Sequence, residues 1–540
     1  MSNFVARFEA HVARDPQQPA LILPEGGGWA QRSYGQVHAR VMAAAAGLRD
    51  EVGLRPGQRV MMLVPAGFEF FELSLALWKL GCVPVLIDPG MGLDGFLSCV
   101  AQVEPQALVA IPKGMVLSKV KGAAFASVQE RVTVNGWTWF WGGHQYEKCL
   151  KSDVQVANHD ADPDSLAAIL FTSGSTGPAK GVRYTHGMFS TQADRIAAMY
   201  GIEPGQVEVS CFLPFAMFSM AMGSTCVLPE MDFAKPATAS PAKIQEALER
   251  FKADQLVASP AVLAKMAVEF PAKGQRLESL KRVLTFGAPI PRSLHLSFRE
   301  ILSSGAEIHT PYGATESLPV ATISSQEILD ETGARSAAGE GTCVGRIDSS
   351  IRVEILPISD EPIPQWDPKS PLPVGEVGEI CVQGPQVSRG YFERPDANLA
   401  AKIPDGDAFW HRMGDLGYLD SEGRLWFCGR KGHRVQTPGG PVFPVPLEGV
   451  YNEHSAVRRS AVVQVGEQAV LVVELKPGHS AGESLGLEIL ALGEQVAVCK
   501  PISTLYFHSS FPVDRRHNAK IHRPELGAWA VDQQSAATLS

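Results

Sequence analysis

Short apolar runs alternate with stretches of helical periodicity through most of the chain. The segment RVMMLVPAG (59–67) is an apolar run that enters a turn and reads as a buried strand. FEFFELSLALWKLG (68–81) follows as a helix closed by Gly81. VPVLIDPG (83–90) is strand again, with Pro89-Gly90 as its turn. LAAILFTSG (166–174) and RVLTFGAPI (282–290) are further strands running into glycine-containing loops. This β-α-β alternation predicts an α/β fold with mainly parallel sheets and helices on both faces. Ligands in such sheets sit at the carboxyl ends of strands. The opening MSNFVARFEAHVARDP reads as a short amphipathic helix ended by Pro16, without the apolar core of a secretion signal.

The pattern changes at GEVGEICVQGPQVSRGYF (375–392), where short strands and glycine turns suggest a small β subdomain. A hairpin is expected across Asp420–Gly423, followed by the Pro- and Gly-dense QTPGGPVFPVPLEG. A hinge near Arg430 is the expected boundary. It gives a large N-terminal domain over residues 1–429, its β subdomain at about 340–429, and a small α+β C-terminal domain over 430–540.

Composition narrows the function. With 48 Lys and Arg against 57 Asp and Glu, the net charge of −9 offers no basic excess for a nucleic-acid partner. Nine cysteines stand singly with no CxxC pair, which argues for reduced thiols and a cytoplasmic setting, and against a zinc site. The longest apolar run, AMFSMAMGSTCVL (216–228), is too short to span a bilayer, so no transmembrane segment is expected.

Several loops carry candidate chemistry. TSGSTGPAKG (172–181) follows a strand and offers backbone N–H groups, hydroxyls and a cation to phosphate oxygens. It is not a Walker loop, because Ala179 replaces the second glycine and Gly181 follows Lys180 where Ser or Thr belongs. Taken alone, a flexible surface linker remains open. GEGTCVG (339–345) lacks dinucleotide spacing, and TPGGPVF reads as a turn. In TPYGATES (310–317), Tyr312 suits base stacking, Thr315 a phosphate hydrogen bond and Glu316 a magnesium ion, with a plain strand-end turn as the alternative. Asp415, in a glycine-flanked turn, suits ribose hydroxyls, with a solvated turn aspartate as the alternative; Arg430 suits phosphate or ribose, or a surface carboxylate. Lys520, in PVDRRHNAKIHR (512–523), is either a solvated charge or a cation brought over an active site.

Together and in this order, these motifs resemble the adenylate-forming superfamily of acyl-CoA synthetases, peptide-synthetase adenylation domains and luciferases. The resemblance covers nearly the whole chain. It implies a phosphate loop at Thr172, Ser173, Gly174, Ser175, Thr176, Gly177 and Lys180. Gly287, Ala288, Pro289, Tyr312, Gly313, Ala314 and Thr315 would complete the nucleotide site with Asp415 and Arg430. Glu316 would hold Mg²⁺, and Lys520, Thr315 and Glu316 would be catalytic, with Lys520 on a mobile lid. ATP and a carboxylate would give an acyl-adenylate and pyrophosphate.

The departures from the common pattern are informative. LPFAMFSMAMG (213–223) puts Ala216 and Met217 where acyl-CoA ligases carry an aromatic residue and a histidine. Ala216, Met217 and Phe218 would line a soft acyl pocket, with helix core as the bland alternative. Gly432 stands at the hinge, and Asn518-Ala519 precede the lysine. With QTPGGPVFPVPLEGVYNEH, these features resemble the olefin β-lactone synthetases of bacterial hydrocarbon biosynthesis. That resemblance implies activation of a long-chain 2-alkyl-3-hydroxyalkanoic acid and capture of the adenylate by the substrate's own 3-hydroxyl. It also suggests other enzymes of a hydrocarbon-biosynthesis assembly as partners. A long-chain fatty-acyl-CoA ligase is the main alternative. A non-catalytic binding protein is opposed by intact Glu316, Asp415, Arg430 and Lys520.

Overall fold

Side-chain alternation along the strands decides how the layers stack. In Arg59–Leu63, Val60 and Met62 face one core while Met61 faces another; in Ala107–Ala110, Ala107 and Val109 part from Leu108 and Ala110 in the same way. In Pro19–Glu25, Leu21 and Leu23 face the first core and Ile22 a third. A period of two buried on both faces requires cover on both sides of each sheet. The first core joins two sheets through the helices Tyr34–Asp50, Phe68–Lys79, His186–Tyr200 and Leu213–Ala221 between them. The outer faces carry Gly92–Val103 and Pro112–Val120 on one side, and Pro241–Arg250, Pro260–Ala272 and Arg292–Arg299 on the other. This computed structural model describes residues 3–152, 154–172, 179–272, 274–513 and 520–538.

The seven-stranded sheet runs His144–Gln145, Glu130–Thr133, Ala107–Ala110, Arg59–Leu63, Val83–Ile87, Leu166–Thr172, Lys180–Thr185 and is parallel except for its last pair. The larger sheet is parallel from Glu307–Ala314 through Arg282–Thr285, Gln255–Ala258, Val207–Ser210 and Thr225–Val227 to Pro19–Glu25. Its other half is antiparallel and contains Thr342–Ile347, Arg352–Leu356, Gly378–Gln383, Ala408–Leu419 and Arg424–Arg430. The short strands expected from residue 375 onward are therefore hydrogen-bonded to the main sheet, through Ala321 opposite Ile347 and Thr322 opposite Arg346. Gly345 permits this approach: with φ of 88° it brings its Cα against Thr322, where a Cβ would sit 2.0 Å from the carbonyl oxygen. The glycine-rich GEGTCVG thus runs from the end of the helical segment Ser336–Glu340 into strand Thr342–Ile347.

The predicted helix after Gly67 is Phe68–Lys79, and the expected hairpin turns at Asp420–Gly423. TPGG turns between Val435–Thr437 and Gly440–Val442. Beyond it, Val457–Val465, Gln468–Leu475 and Leu505–Phe507 form a three-stranded sheet with its own apolar clusters, covered by Pro444–Tyr451 and Arg523–Thr538. Helix Pro444–Tyr451 packs against Ser336–Glu340 of the main body. Among the described residues, no helix is long and apolar enough to cross a membrane.

Candidate active site

A cavity of about 1730 Å³ opens where parallel strands of both sheets end, lined by Val64, Asp88 and Asn135 from one sheet and by Gly287, Ala288, Pro289 and Tyr312 from the other. Each follows the carboxyl end of its strand, apart from Tyr312, which sits inside Glu307–Ala314. Carboxyl-end placement is the expected ligand position of a doubly wound sheet.

The hairpin between Glu307–Ala314 and Ser317–Ser324 pairs Ala314 with Ser317, leaving Thr315 and Glu316 as its two-residue tip. Gly313 allows the close turn, since a Cβ there would lie 2.6 Å from the Ser317 carbonyl. Two distant segments pin the tip: the Tyr184 hydroxyl donates to Thr315 O at 2.7 Å, and the Ser388 N–H donates to Glu316 O at 2.7 Å. The Tyr391 hydroxyl donates to Glu316 Oε1 at 2.8 Å. Lys402 lies close enough to feel the Glu316 charge, and burial pushes its ammonium down to about 7. Its Nζ donates to Ser388 O and lies 4.7 Å from the centre of the Phe409 ring.

Asp415 occurs in Ala408–Leu419 directly opposite Arg430 in Arg424–Arg430. The side chains meet with Arg430 Nη1 2.8 Å from Asp415 Oδ1, and the Tyr312 hydroxyl donates to Asp415 Oδ2 at 2.6 Å. Burial pushes the Asp415 carboxyl upward, opposed by the Arg430 charge and the Tyr312 hydrogen bond; the nearby Asp415 carboxylate raises Arg430 in turn. The arrangement is a preformed acceptor: Tyr312 donates to Oδ2 and Arg430 supplies the countercharge, while Oδ1 has no hydrogen-bond partner among the described residues and is open to a neighbouring hydroxyl. Lys520 lines the same cavity.

The apolar lining includes Met217 and Phe218 from Leu213–Ala221. Ala216 is fully buried in the core and is not part of the lining; among its immediate neighbours, Pro214, Phe215, Met217 and Phe218 are. Tyr184 connects this wall to the hairpin tip, for its ring lies 4.7 Å from Phe189, which is 6.0 Å from Phe218.

Of the glycine-rich loop, Ser173, Gly174, Ser175, Thr176 and Gly177 lie outside the described residues, and Thr172 is described in its backbone alone, paired with Lys180. Lys180 Nζ lies 4.9 Å from the Tyr391 ring centre. Pattern reading missed Tyr391, which touches Glu316, although RGYF contains it. It also missed Glu379, whose buried carboxylate accepts from Arg412 at 2.6 and 3.0 Å and lies 3.1 Å from Lys431 Nζ. All three line the cavity. A signal existed: Arg412 stands three residues before the ribose candidate in HRMGD, and Lys431 directly follows Arg430. Glu379 has no comparable local mark.

Residues 8–392 match the family described as AMP-binding enzyme. The chain belongs to the AMP-binding enzyme family. It is an adenylate-forming ligase by family and by relatives. The olefin β-lactone synthetase of Xanthomonas campestris pv. campestris is 40% identical, covering 99% of this chain and 98% of that protein. The one from Stenotrophomonas maltophilia is 40% identical, covering 98% of each. Among solved structures, the amide bond synthetase McbA from Marinactinospora thermotolerans superposes with a TM-score of 0.79 at 23% identity, covering 97% of this chain and 99% of that one. The o-succinylbenzoate coenzyme A synthetase of Bacillus subtilis, solved with ATP and a magnesium ion, gives 0.76 at 22% identity over 97% and 99%. These last two likenesses speak to the fold of an AMP-binding enzyme.

Proposed function

We propose that this AMP-binding enzyme activates a long-chain 2-alkyl-3-hydroxyalkanoic acid as its acyl-adenylate and closes it to a β-lactone. One carboxylate oxygen attacks the α-phosphorus of ATP, and pyrophosphate leaves. The 3-hydroxyl oxygen then attacks the carbonyl carbon, the bond from that carbon to the phosphate oxygen breaks, the hydroxyl proton is released, and AMP leaves. The tethered nucleophile needs no thiol acceptor. The single observation carrying this reading is the 40% identity, over nearly all of the chain, to two olefin β-lactone synthetases.

In this scheme Asp415 accepts the ribose hydroxyls, held in place by Tyr312 and Arg430. The loop Thr172–Lys180 holds the β- and γ-phosphates, Tyr312 stacks on adenine beside Gly287–Pro289, and Gly313–Thr315 shape the phosphate side. Lys520 offsets charge that develops as the carboxylate meets the α-phosphate. Met217 and Phe218 bind the alkyl chain.

A magnesium ion fits the donor set. Magnesium is commonly held by one or two carboxylates with substrate phosphates and water, and Glu316 has Oε1 on Tyr391 and a second oxygen besides. Among the described residues there is no cluster of three His, Cys, Asp or Glu side chains that would hold a metal by protein ligands alone. Glu316 would hold the ion, whose charge would neutralise the phosphates.

Residues 430–540 act as a lid that carries Lys520 into the cavity, with the pivot beside Gly432 and a domain division at 429/430. The packing of Pro444–Tyr451 on Ser336–Glu340 and the Arg434–Asp360 ion pair support that placement. A cytoplasmic location, and partners among other enzymes of hydrocarbon biosynthesis, complete the reading.

The test omits coenzyme A. Incubation with ATP, Mg²⁺ and the 3-hydroxy acid is expected to yield AMP, pyrophosphate and lactone, while the 3-deoxy acid yields bound adenylate without lactone. Turnover only on addition of coenzyme A, with an acyl thioester as product, would establish the acyl-CoA ligase reading.

A further inference from the structure

The loop between Glu130–Thr133 and His144–Gln145 has the sequence NGWTWFWGG, and of its four aromatic residues only Trp141 packs against a core. Trp137 is 74% exposed, Trp139 72% and Phe140 69%. Trp141 anchors the loop instead: half-buried, it donates from Nε1 to Thr133 Oγ1 at 2.9 Å. The loop is therefore held at its base while three large aromatic side chains project into solvent. Exposed apolar surface of this density marks an interaction site.

A second apolar feature adjoins it. Gly136 packs against Pro112, the first residue of Pro112–Val120, so that a Cβ on Gly136 would lie 2.4 Å from Pro112 Cγ. That helix exposes Val116 and Val120, one turn apart, together with Lys113 and Lys119; Lys121 follows. The local charge is opposite to that of the whole chain. Residues 112–151 carry six cations (Lys113, Lys119, Lys121, Arg131, Lys148 and Lys151) against Glu130 and Glu147, in a chain of net charge −9; of the six, Lys151 is paired outside the segment, with Glu51 at 2.7 Å and Asp50 at 3.9 Å. The two acids are engaged: Glu130 lies 3.8 Å from His144 Nε2, and Glu147 accepts from the Asn135 N–H at 2.8 Å.

The position completes the picture. Asn135, where the loop leaves the sheet, lines the active-site cavity. The aromatic loop and the cavity therefore share a rim. A surface that pairs protruding tryptophans with clustered lysines has the amphipathic chemistry of a membrane-interface anchor. Nucleic acid would answer the charge but not the apolar side chains.

We infer that the loop 135–143 and the exposed face of Pro112–Val120 dock the enzyme on an anionic lipid surface, with the cavity rim against the acyl chains. Docking itself is independent of the product; only its use, direct delivery of a water-insoluble acid to the cavity, rests on the long-chain substrate reading.

The experiment is cosedimentation of the full chain, without substrate, with phosphatidylethanolamine–phosphatidylglycerol vesicles and with phosphatidylcholine vesicles. The expected result is binding to the anionic vesicles, with a blue shift of tryptophan emission. The combined variant W137S/W139S/F140S should weaken it at least about tenfold, and K113Q/K119Q/K121Q about a hundredfold at low salt. All six substitutions are at exposed positions, so pyrophosphate release from ATP and a dissolved short-chain 3-hydroxy acid should be unchanged in both variants and reports intact folding. If wild type fails to bind anionic vesicles, or the aromatic variant binds them as well as wild type, the inference is overturned. A complex with another protein that depends on these side chains, without vesicle binding, would overturn it in favour of a protein interface. A failure of lactone formation alongside normal vesicle binding would count against the proposed reaction alone.

Discussion

At the residue scale, the site depends on charges that fix one another before substrate arrives. Asp415 is held between Tyr312 and Arg430, so removing its charge leaves both partners unmatched as well as removing an acceptor. Asp415→Asn should raise the KM for ATP about 10- to 100-fold, in line with the 1.5–3 kcal/mol of hydrogen bonds to charged groups; steady-state kinetics at varied ATP checks this. Lys520→Ala should lose most pyrophosphate exchange while equilibrium ATP binding persists, because the lysine comes from far along the C-terminal segment, whereas the other candidate nucleotide residues reach no further than Arg430 at its boundary. Wild-type turnover in that variant would remove Lys520 from the mechanism. Tyr312, Glu316, Asp415 and Arg430 were legible in sequence because each stands in a short motif with glycine nearby. Tyr391, Glu379 and Lys402 were not, because their importance arises from partners brought together by sheet pairing across distant strands.

At the element scale, the hairpin Glu307–Ala314/Ser317–Ser324 is both a sheet connection and the tip that presents Glu316. Gly313→Ala would force a Cβ to within 2.6 Å of Ser317 O. The expected cost is about 1–3 kcal/mol, seen as a lower unfolding midpoint and a parallel loss of pyrophosphate exchange. The turn was readable from TPYGATES, but its two pins, Tyr184 and Ser388, were not. Helix Leu213–Ala221 shows the opposite case: the departure from the common motif falls on a segment that lines the cavity, yet only Met217 and Phe218 of the three residues do so, because Ala216 is turned into the core. Met217→Trp should therefore reduce turnover of long-chain acids about tenfold or more relative to short ones, measured by competition between chain lengths.

At the scale of the whole molecule, the alternation of apolar runs and helical periods foretold parallel sheets covered on both faces. It did not foretell that the antiparallel strands after residue 375 would continue the main sheet, because that junction rests on a close approach at Gly345. Two buried histidines, one on each side of the larger sheet, also set a response to acid. Burial lowers His186 and His295 from 6.5 to about 4. Between those values the unfolded chain binds protons that the folded chain refuses, so stability is complete above about pH 6.5 and declines as pH falls toward 4. The loss should reach about 2 kcal/mol per histidine near pH 4.5. Urea midpoints across this range should show it, and His295→Leu should flatten the decline. The central claim concerns which bond is made after activation, and an oxygen-18 label tests it directly. With the label in the 3-hydroxyl of the acid, mass spectrometry should find it retained in the lactone ring and absent from AMP and pyrophosphate. Label in AMP would contradict the account, because it would mean that the hydroxyl, and not the carboxylate, had been activated.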